Sequence, residues 1–594
     1  MADRANPWPG KGALQRLIMV ASLAVGFTLA SPAWADAVVT LCHDADETGP
    51  GTSLRTAIIA HPDPNTLINH VTFECGGPAT IAFTTGGPLE IFQATSVDGG
   101  NGITLASTSA SSRTSLFVVA NPGNFLYLRN LVLSHSNTDR PICIPPATCP
   151  GTVINGQGVT QLDNVSIRNS YSPVSVTAGS LTISNSQFTE DGGTVIDIGL
   201  GVSTLITGSV FQDNSGATPI VARGNVSITT SKFMGNGSAS FFPLECQLSI
   251  DNSQFENNVD GALQINCSSV TISNSLFANN SPARVGGAIR FFAGSRQIIL
   301  RADRFLSNSA SAGGGALWFA APENGDISLS IGHSIFKGNQ GGQGGAMLIE
   351  KPLDASKVVV KLDRVSFSHN TATAGGGAIA ASGTEFLAGR TVFADNSAKE
   401  RGGAVLLDNA TPLHSVFANS LFIRNSAASG SALLGDDADF INSTIDSNQG
   451  MAMADATSGS RPAGRISFKN SIVSNNPKGG CGPQGLFDDG GHNLQFPGSD
   501  CGSSIRVANP ELDSMYIPLP KSAPVGNGDP MVCRTEPING RDFYGSARLA
   551  GGLCTIGAAE GLLLRHAGQR NPGPCNCAND FVTELRRRLP FGQQ

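Results

Sequence analysis

Carboxylates in close succession are the first residues of this 594-residue chain that could do chemistry. Asp436, Asp437 and Asp439 stand beside the strand-like Phe440-Ile441, and Asp488 adjoins Asp489. Two carboxyl groups on one face can cleave a glycosidic bond, one as acid and the other as base or nucleophile. Acidic ligands for calcium beside a basic residue would instead suit proton abstraction, the need of a lyase. Each acidic group also reads as a solvated turn, and turns of this kind are the commoner outcome. The nine His are scattered. His333 and His369 fall near successive turns and could approach one another, but no metal-ligand spacing accompanies them, so no metal and no cofactor is expected. The recurring Gly-Gly pairs are not phosphate loops, because no Gly-Lys-Ser/Thr follows them.

The elements that must position these residues are announced by a repeat. Phe-x-x-Asn recurs as Phe211/Asn214, Phe233/Asn236, Phe255/Asn258, Phe277/Asn280, Phe305/Asn308, Phe336/Asn339, Phe367/Asn370, Phe393/Asn396 and Phe422/Asn425, at spacings of 22, 22, 22, 28, 31, 31, 26 and 29 residues. A fixed register with variable insertions is the signature of a solenoid. Phe188 extends it backwards; Ile445 with Asn448 and Ile472 with Asn475 extend it forwards. Within one unit, Leu248 and Ile250 alternate with polar residues, which is strand periodicity with one buried face. Asn258 ends the run, where the motif Asn is expected to take a left-handed turn. Gly-Gly-Ala-aliphatic segments follow at Gly286, Gly314, Gly344, Gly376 and Gly402, their glycines permitting positive φ and close backbone approach.

A single unit cannot bury its own apolar edge, so copies must stack, Phe on Phe inside and Asn on Asn at the corner. An all-β parallel β-helix meets these demands, with coils roughly 4.8 Å apart. The insertions concentrate between residues 277 and 422, which predicts the longest loops there.

Composition agrees: Gly is high at 71 residues and charged residues are low at 14%, against about a quarter in ordinary domains. Residues 1–35 read as a secretory signal, with Arg4, Lys11 and Arg16, an apolar run over residues 17–30 and Ala33-Trp34-Ala35 before the cut. Its removal shifts the formal charge from -7 to about -9, because Asp3 is lost with three basic residues. Such acidity argues against a nucleic-acid partner. No later stretch approaches roughly 18 unbroken apolar residues, so no transmembrane segment is expected after the signal. The 12 Cys all follow residue 35, an even number in an exported chain. Cys246 and Cys267, Cys481 and Cys501, and Cys533 and Cys554 are 21, 20 and 21 residues apart, close to one coil, and could face each other on adjacent coils. Cys42 with Cys75 and Cys143 with Cys149 are further plausible pairs; Cys575 and Cys577 are too close for a relaxed mutual bridge.

Phe-x-x-Asn in phase with Gly-Gly-Ala-aliphatic over residues 205–450 resembles the repeats of the polymorphic outer-membrane proteins, a bacterial surface family. Gly51-Thr-Ser53-Leu54-Arg55-Thr-Ala57-Ile58, then Val71-Thr-Phe73, Ile81-Ala-Phe83 and Val97-Asp98-Gly99, is similar to the opening module of exported bacterial β-helix proteins, with Thr56 where their signature has Glu. Cys481, Gly491-His492-Asn493-Leu494, Cys501, Asn509-Pro510, Asp542, Cys554-Thr-Ile556-Gly557-Ala558 and Glu560 are similar to their close. The resemblance implies a right-handed, single-stranded β-helix of the pectate-lyase-like superfold, displayed outside the cell, with adhesion as its role. Only 34 residues follow Glu560, too few for the membrane barrel that ends the polymorphic proteins, so periplasmic residence or export by a separate machine is expected beside surface display. Asn137-Thr138-Asp139 is similar to one motif of pectin-cleaving hydrolases, whose companion motifs are missing downstream.

The expected organisation is a signal over 1–35, a β-rich capping module over 36–125, β-helix repeats over 126–480, disulfide-bearing closing coils over 481–560 and a disordered tail over 561–594. The expected function is non-enzymatic binding of a surface protein or polysaccharide through the lateral face and loops. The alternative is a polysaccharide lyase or hydrolase using Asp436, Asp437 and Asp439. Aromatic supply favours the former, since Trp318 is the one Trp after residue 35 and the 30 Phe are mostly assigned to the internal stack.

Overall fold

A computed structural model describes residues 35–561 apart from 60–67, 85–86, 108–114, 136–152, 215–217, 243–245, 282, 321–325, 351–356, 409–412, 436, 455–464, 483–485 and 549–551. Asp436, Asn137-Thr138-Asp139, Cys143, Cys149, Cys575, Cys577 and the signal before residue 35 lie outside the described residues.

One coil shows how the chain is built. Its strands are Gln247–Asp251, Gln254–Glu256 and Leu263–Ile265. Each pairs in parallel with its counterparts one coil before and one after. Leu248 lies between Val226 and Val270, Phe255 between Phe233 and Phe277, and Leu263 between Ala239 and Ile289. Among the described residues these ladders make a 33-stranded and a 15-stranded sheet, with two narrow sheets of two and three strands. The apolar core fills the space between the sheets, because alternate residues of strands such as Gln247–Asp251, Leu263–Ile265 and Ile327–Gly332 point inward. Among the described residues helix is confined to Leu54–Ile59, which buries Leu54, Ala57 and Ile58, and Pro530–Arg534.

The repeat motif is the spine of this core. From Phe188 to Phe422 successive rings stack nearly parallel, their centroids 4.6–5.1 Å apart. Each Phe is buried and contributes on the order of 1.5–3 kcal/mol by leaving water. The motif Asn are buried too, and every polar atom of the amide is used. Asn258 Nδ2 donates to Asn280 Oδ1 (2.9 Å) and to Phe233 O (3.1 Å), while Asn258 Oδ1 accepts from Asn236 N (3.0 Å). The same pattern runs on to Asn448.

Two details of the expected register are corrected. The motif Asn is not the left-handed residue of its turn. That conformation falls one position earlier: to Asp213 before Asn214, Gly235 before Asn236, Asn257 before Asn258 and Asn279 before Asn280. It falls likewise to Ser307 before Asn308, Gly338 before Asn339, His369 before Asn370, Asp395 before Asn396 and Arg424 before Asn425. Asn308, Asn339, Asn370, Asn396 and Asn425 are instead buried, each donating from Nδ2 to the Oδ1 of the next ladder member. An Asn side chain committed to the ladder must point inward, so the chain reverses one residue before it. The second correction concerns the far end. After Ile445 and Asn448, the register passes to Val473 and Asn476 rather than Ile472 and Asn475. Ile472 instead points outward, beneath Ile556.

The Gly-Gly-Ala corners use their two glycines differently. The first takes positive φ, 69° at Gly376; the second lies so close to the next coil that a Cβ on Gly377 would meet Gly403 O at 2.0 Å. The residues between Asn and Gly-Gly, expected as loops, also pair. Gln340–Gly341, Thr371–Ala372 and Ser397–Ala398 form a third narrow ladder.

Disulfides join Cys42 to Cys75, Cys246 to Cys267, Cys481 to Cys501 and Cys533 to Cys554. Cys246–Cys267 and Cys481–Cys501 have Cα atoms 4.7 and 4.9 Å apart, the spacing of stacked coils. Cys533–Cys554 differs: both residues belong to a segment that is no longer coiling. After Arg506–Val507 the chain leaves the ladder and folds back along the outside of earlier coils. There Asn419 Nδ2 donates to Arg541 O (2.8 Å), Ala558 N to Thr444 Oγ1 (3.0 Å) and Gly557 N to Asn470 O (2.7 Å). This strap buries Val392, Leu421 and Ile423 against Phe543 and Ala558.

Candidate functional site

The strand Ala438–Ile441 turns Ala438 and Phe440 inward and Asp439 outward. Parallel pairing then places Asp439 in a row with Ser467 and Asp488 on the two following coils. His414, just before the strand Ser415–Ala418, reaches across to the same face. Its Nδ1 lies 3.1 Å from Asp437 Oδ1 and its Nε2 3.1 Å from Asp439 Oδ2. Burial alone would lower the His414 imidazole. The hydrogen bond with Asp437 and the charges of Asp439 and Asp437 outweigh it, so His414 is held above its ordinary range.

The structure therefore brings together two of the three catalytic candidates, and closes both on one imidazole. Asp439 also accepts from Ser467 Oγ, and Arg465 is paired with Asp488. Asp489 is spent on its own turn, accepting from Gly491 N (3.0 Å) and Asn493 Nδ2 (2.7 Å). Chemically this is an ion-paired polar row spanning successive coils on an outer sheet face. His333 and His369 are not brought together: they occupy separate rows of left-handed turns, one before and one after the Phe strands. Among the described residues no group of three or more His, Cys, Asp or Glu is placed to hold a metal ion.

Two buried carboxylates belong to the scaffold. Asp191 stands at the head of the Asn ladder, and burial pushes its carboxyl up to about 8. Asp303 interrupts a buried Ser row, accepting from Ser275 N and Arg301 N (both 2.9 Å), and burial pushes it up to about 7.

Sequence reasoning assigned the Phe mainly to the internal stack and so missed an outer aromatic group. Phe242, Phe292 and Trp318 are half-buried on the outside, Phe292 lying 5.8 Å between centroids from each of the other two. Trp318 Nε1 donates to Glu350 (3.0 Å). The signal was present: in Phe241-Phe242 and Phe291-Phe292, neighbours in an extended chain must face opposite ways. A shallow polar depression of about 260 Å³ lies farther toward the N-terminus, lined by Asn130, Asn164 and Asn185.

Comparison with known proteins gives two family matches. The family described as "right handed beta helix region" matches residues 150–319, and the Chlamydia polymorphic membrane protein repeat matches residues 364–382. No curated protein matches the chain significantly. Among solved structures, the catalytic domain of a GH87 α-1,3-glucanase in complex with nigerose is 12% identical, covering 75% of this chain and 68% of its own, with a TM-score of 0.27. The A-module of Azotobacter vinelandii mannuronan C-5 epimerase AlgE6 is 10% identical, covering 77% of this chain and all of its own, with a TM-score of 0.21. At such identities and scores the likeness carries no activity or ligand across. The parallel ladders and the matched region over residues 150–319 together make the chain a right-handed parallel β-helix.

Proposed function

We propose that this chain is an exported surface or envelope protein that works by binding, in adhesion or envelope interaction, through the lateral faces of its β-helix. The observation that carries the reading is the state of the candidate carboxylates. Asp437 and Asp439 are both closed on His414, Asp439 also holds Ser467, and Arg465 holds Asp488. An acid–base pair needs one carboxyl free to protonate a leaving group and another free to act on the opposite side; an ion-paired row suits recognition and stability better. The matched repeat at residues 364–382 supports a surface setting, and the four disulfides among the described residues fit an oxidising compartment.

A second reading is favoured by one observation: Asp437, Asp439, Asp488 and His414 share one outer face, as a polysaccharide lyase or hydrolase would require. Incubating the purified chain with uronate and neutral polysaccharides, with and without calcium, separates the two. Binding to cells or extracted envelope without product release is expected. Turnover abolished by Asp437→Ala or Asp439→Ala would overturn the binding reading.

A further inference from the structure

The turns between the long strands and the Phe strands form one row of left-handed residues. Asn252 and Asn274 occupy it early, and Asn419, Asn442 and Asn470 late. Between them the row changes character: His333 (φ 55°), Arg364 (φ 55°) and Arg390 (φ 49°) stand on three successive coils. A left-handed backbone is costly for residues other than Gly, Asn and Asp, and a long side chain there calls for a reason. Such placements persist where the surrounding structure enforces them and often mark functional sites.

The flanks of the same coils add to the charge. Arg301 precedes the row by one residue, Arg304 lies just beyond it, and Lys361 points outward from the adjoining strand. Two carboxylates on these outer strands are occupied. Asp363 is held by Arg390 (2.7 Å) and Glu385 by Lys357 (3.2 Å), while Asp303 is buried. His333 does not add a charge. Burial and Arg364 hold it below the usual imidazole range, and its Nε2 lies 2.8 Å from Arg364 Nη1, as a neutral acceptor would. The outcome is a basic ridge on a chain whose net charge is -7.

We propose that this ridge binds an anionic polysaccharide of the uronate class, lying along the coil axis so that carboxylates in register with the coils meet Arg301 and, two coils on, Arg364, with Arg390, ion-paired to Asp363, on the coil after. Stacked coils repeat at roughly 4.8 Å, close to the length of one pyranose unit, so charges on the protein fall at whole multiples of the polymer's repeat. A guanidinium fork matches a carboxylate with two parallel hydrogen bonds. Among the described residues, the outward positions flanking the ridge, including Ile299, Ser330, Ile335 and Ser366, offer no aromatic face on which a base could stack, which disfavours single-stranded nucleic acid. Toward the C-terminus the strap covers Val392 and Leu421, so the ridge ends where the next coils are closed off.

This inference deepens the binding reading and rests on it. The test uses the purified chain with oligomannuronate or polygalacturonate, with dextran and single-stranded DNA as comparisons, at low and physiological ionic strength. The variant R364N/R390N restores the residue type of Asn274 and Asn419; relief of the left-handed strain offsets the loss of the partly exposed Arg390–Asp363 pair, so its melting temperature should hold. Expected are uronate binding that weakens with salt, at least about tenfold weaker binding by the variant, and no binding of dextran. Unchanged binding by the variant, equal binding of DNA, or no uronate binding at low salt overturns the ridge. Cell-surface binding retained without uronate binding overturns the ridge alone; release of cleaved uronate overturns the non-enzymatic reading.

Discussion

Asp191 holds the first place in a row whose later members are all Asn, and that single substitution has a pH signature. Its Oδ1 accepts from Ser170 N (2.8 Å) and its backbone N donates to Asn214 Oδ1 (2.9 Å), but its Oδ2 meets no partner among the described residues. An Asn there would donate from Nδ2, as Asn214 does to Asn236 Oδ1 at 2.8 Å. A protonated carboxyl can imitate that donor, and burial pushes the Asp191 pKa from 3.8 up to about 8. The folded state therefore binds the proton more tightly than the unfolded chain. The group's contribution is fully present below pH 4 and is lost progressively as pH rises toward 8. Asp191→Asn should stabilise the protein at neutral pH, by up to about 4 kcal/mol at pH 7, and flatten stability between pH 4 and 8. Urea denaturation at several pH values checks this; equal stability of both proteins at pH 7 would count against a neutral Asp191. At this scale the ladder was legible in the sequence because Phe and Asn recur in phase. Asp191 was not, because a carboxylate in an amide's place follows no consensus. The outer charges were legible only as residue types: nothing in the spacing of His414, Asp437 and Asp439 says that an imidazole on one coil closes on both carboxylates of the next.

At the scale of the coil, the corners set the tolerance of the fold. Gly377 has no room for even a methyl group, since its Cβ would lie 2.0 Å from Gly403 O and 2.7 Å from Ser397 N. Those atoms belong to the next coil's backbone and are tied into ladders on both sides, so they cannot shift singly. Gly377→Ala should cost more than about 3 kcal/mol, as overpacking does when no side chain can move aside. Gly491→Ala offers the contrast: its φ is 94°, but nothing lies within 4 Å of the added atom, so only backbone strain of about 1 kcal/mol is expected. Thermal melts of the two variants decide the matter, and similar losses would refute close approach as the reason for the second glycine. The Gly-Gly-Ala corner was readable from sequence because each glycine is locally demanded. The left-handed residue before each motif Asn was not, since that position accepts Asp213, Gly235, Asn257, Ser307 and His369 alike. The third ladder was hidden for a similar reason: segments such as Thr371–Ala372 and Ser397–Ala398 are too short to show alternation, and only stacking makes them strands.

At the scale of the whole molecule, the strap shows what a repeat cannot announce. It has no period, and its anchoring contacts cross more than a hundred residues, as from Arg548 to Asn419, 129 positions apart. Arg548 is fully buried at the junction. Its Nη2 donates to Asn419 Oδ1 and to the carbonyls of Gly557 and Ala558, each at 2.8 Å, and its Nη1 to Thr555 O at 3.0 Å. Glu560 lies 3.4 Å from the same Nη1 and gives the buried cation its counter-charge. Burial pulls the guanidinium down and pushes Glu560 up, so the pair is costly to keep and costlier to break. Arg548→Ala removes this donor from Glu560, Asn419 and four carbonyls, those of Arg541, Thr555, Gly557 and Ala558, a loss on the order of 3–5 kcal/mol. That loss should fall on the strap and not on the ladders, because the coils before residue 390 make their hydrogen bonds with one another. Hydrogen exchange of the variant should therefore rise across residues 529–561 and at Leu421 and Ile423, whose cover is removed. The amides of Phe233, Phe255 and Phe277 should keep their protection. Loss of protection along the entire ladder would mean that the strap and the β-helix fold as one cooperative unit, and that the outer face at Val392 and Leu421 cannot exist uncovered.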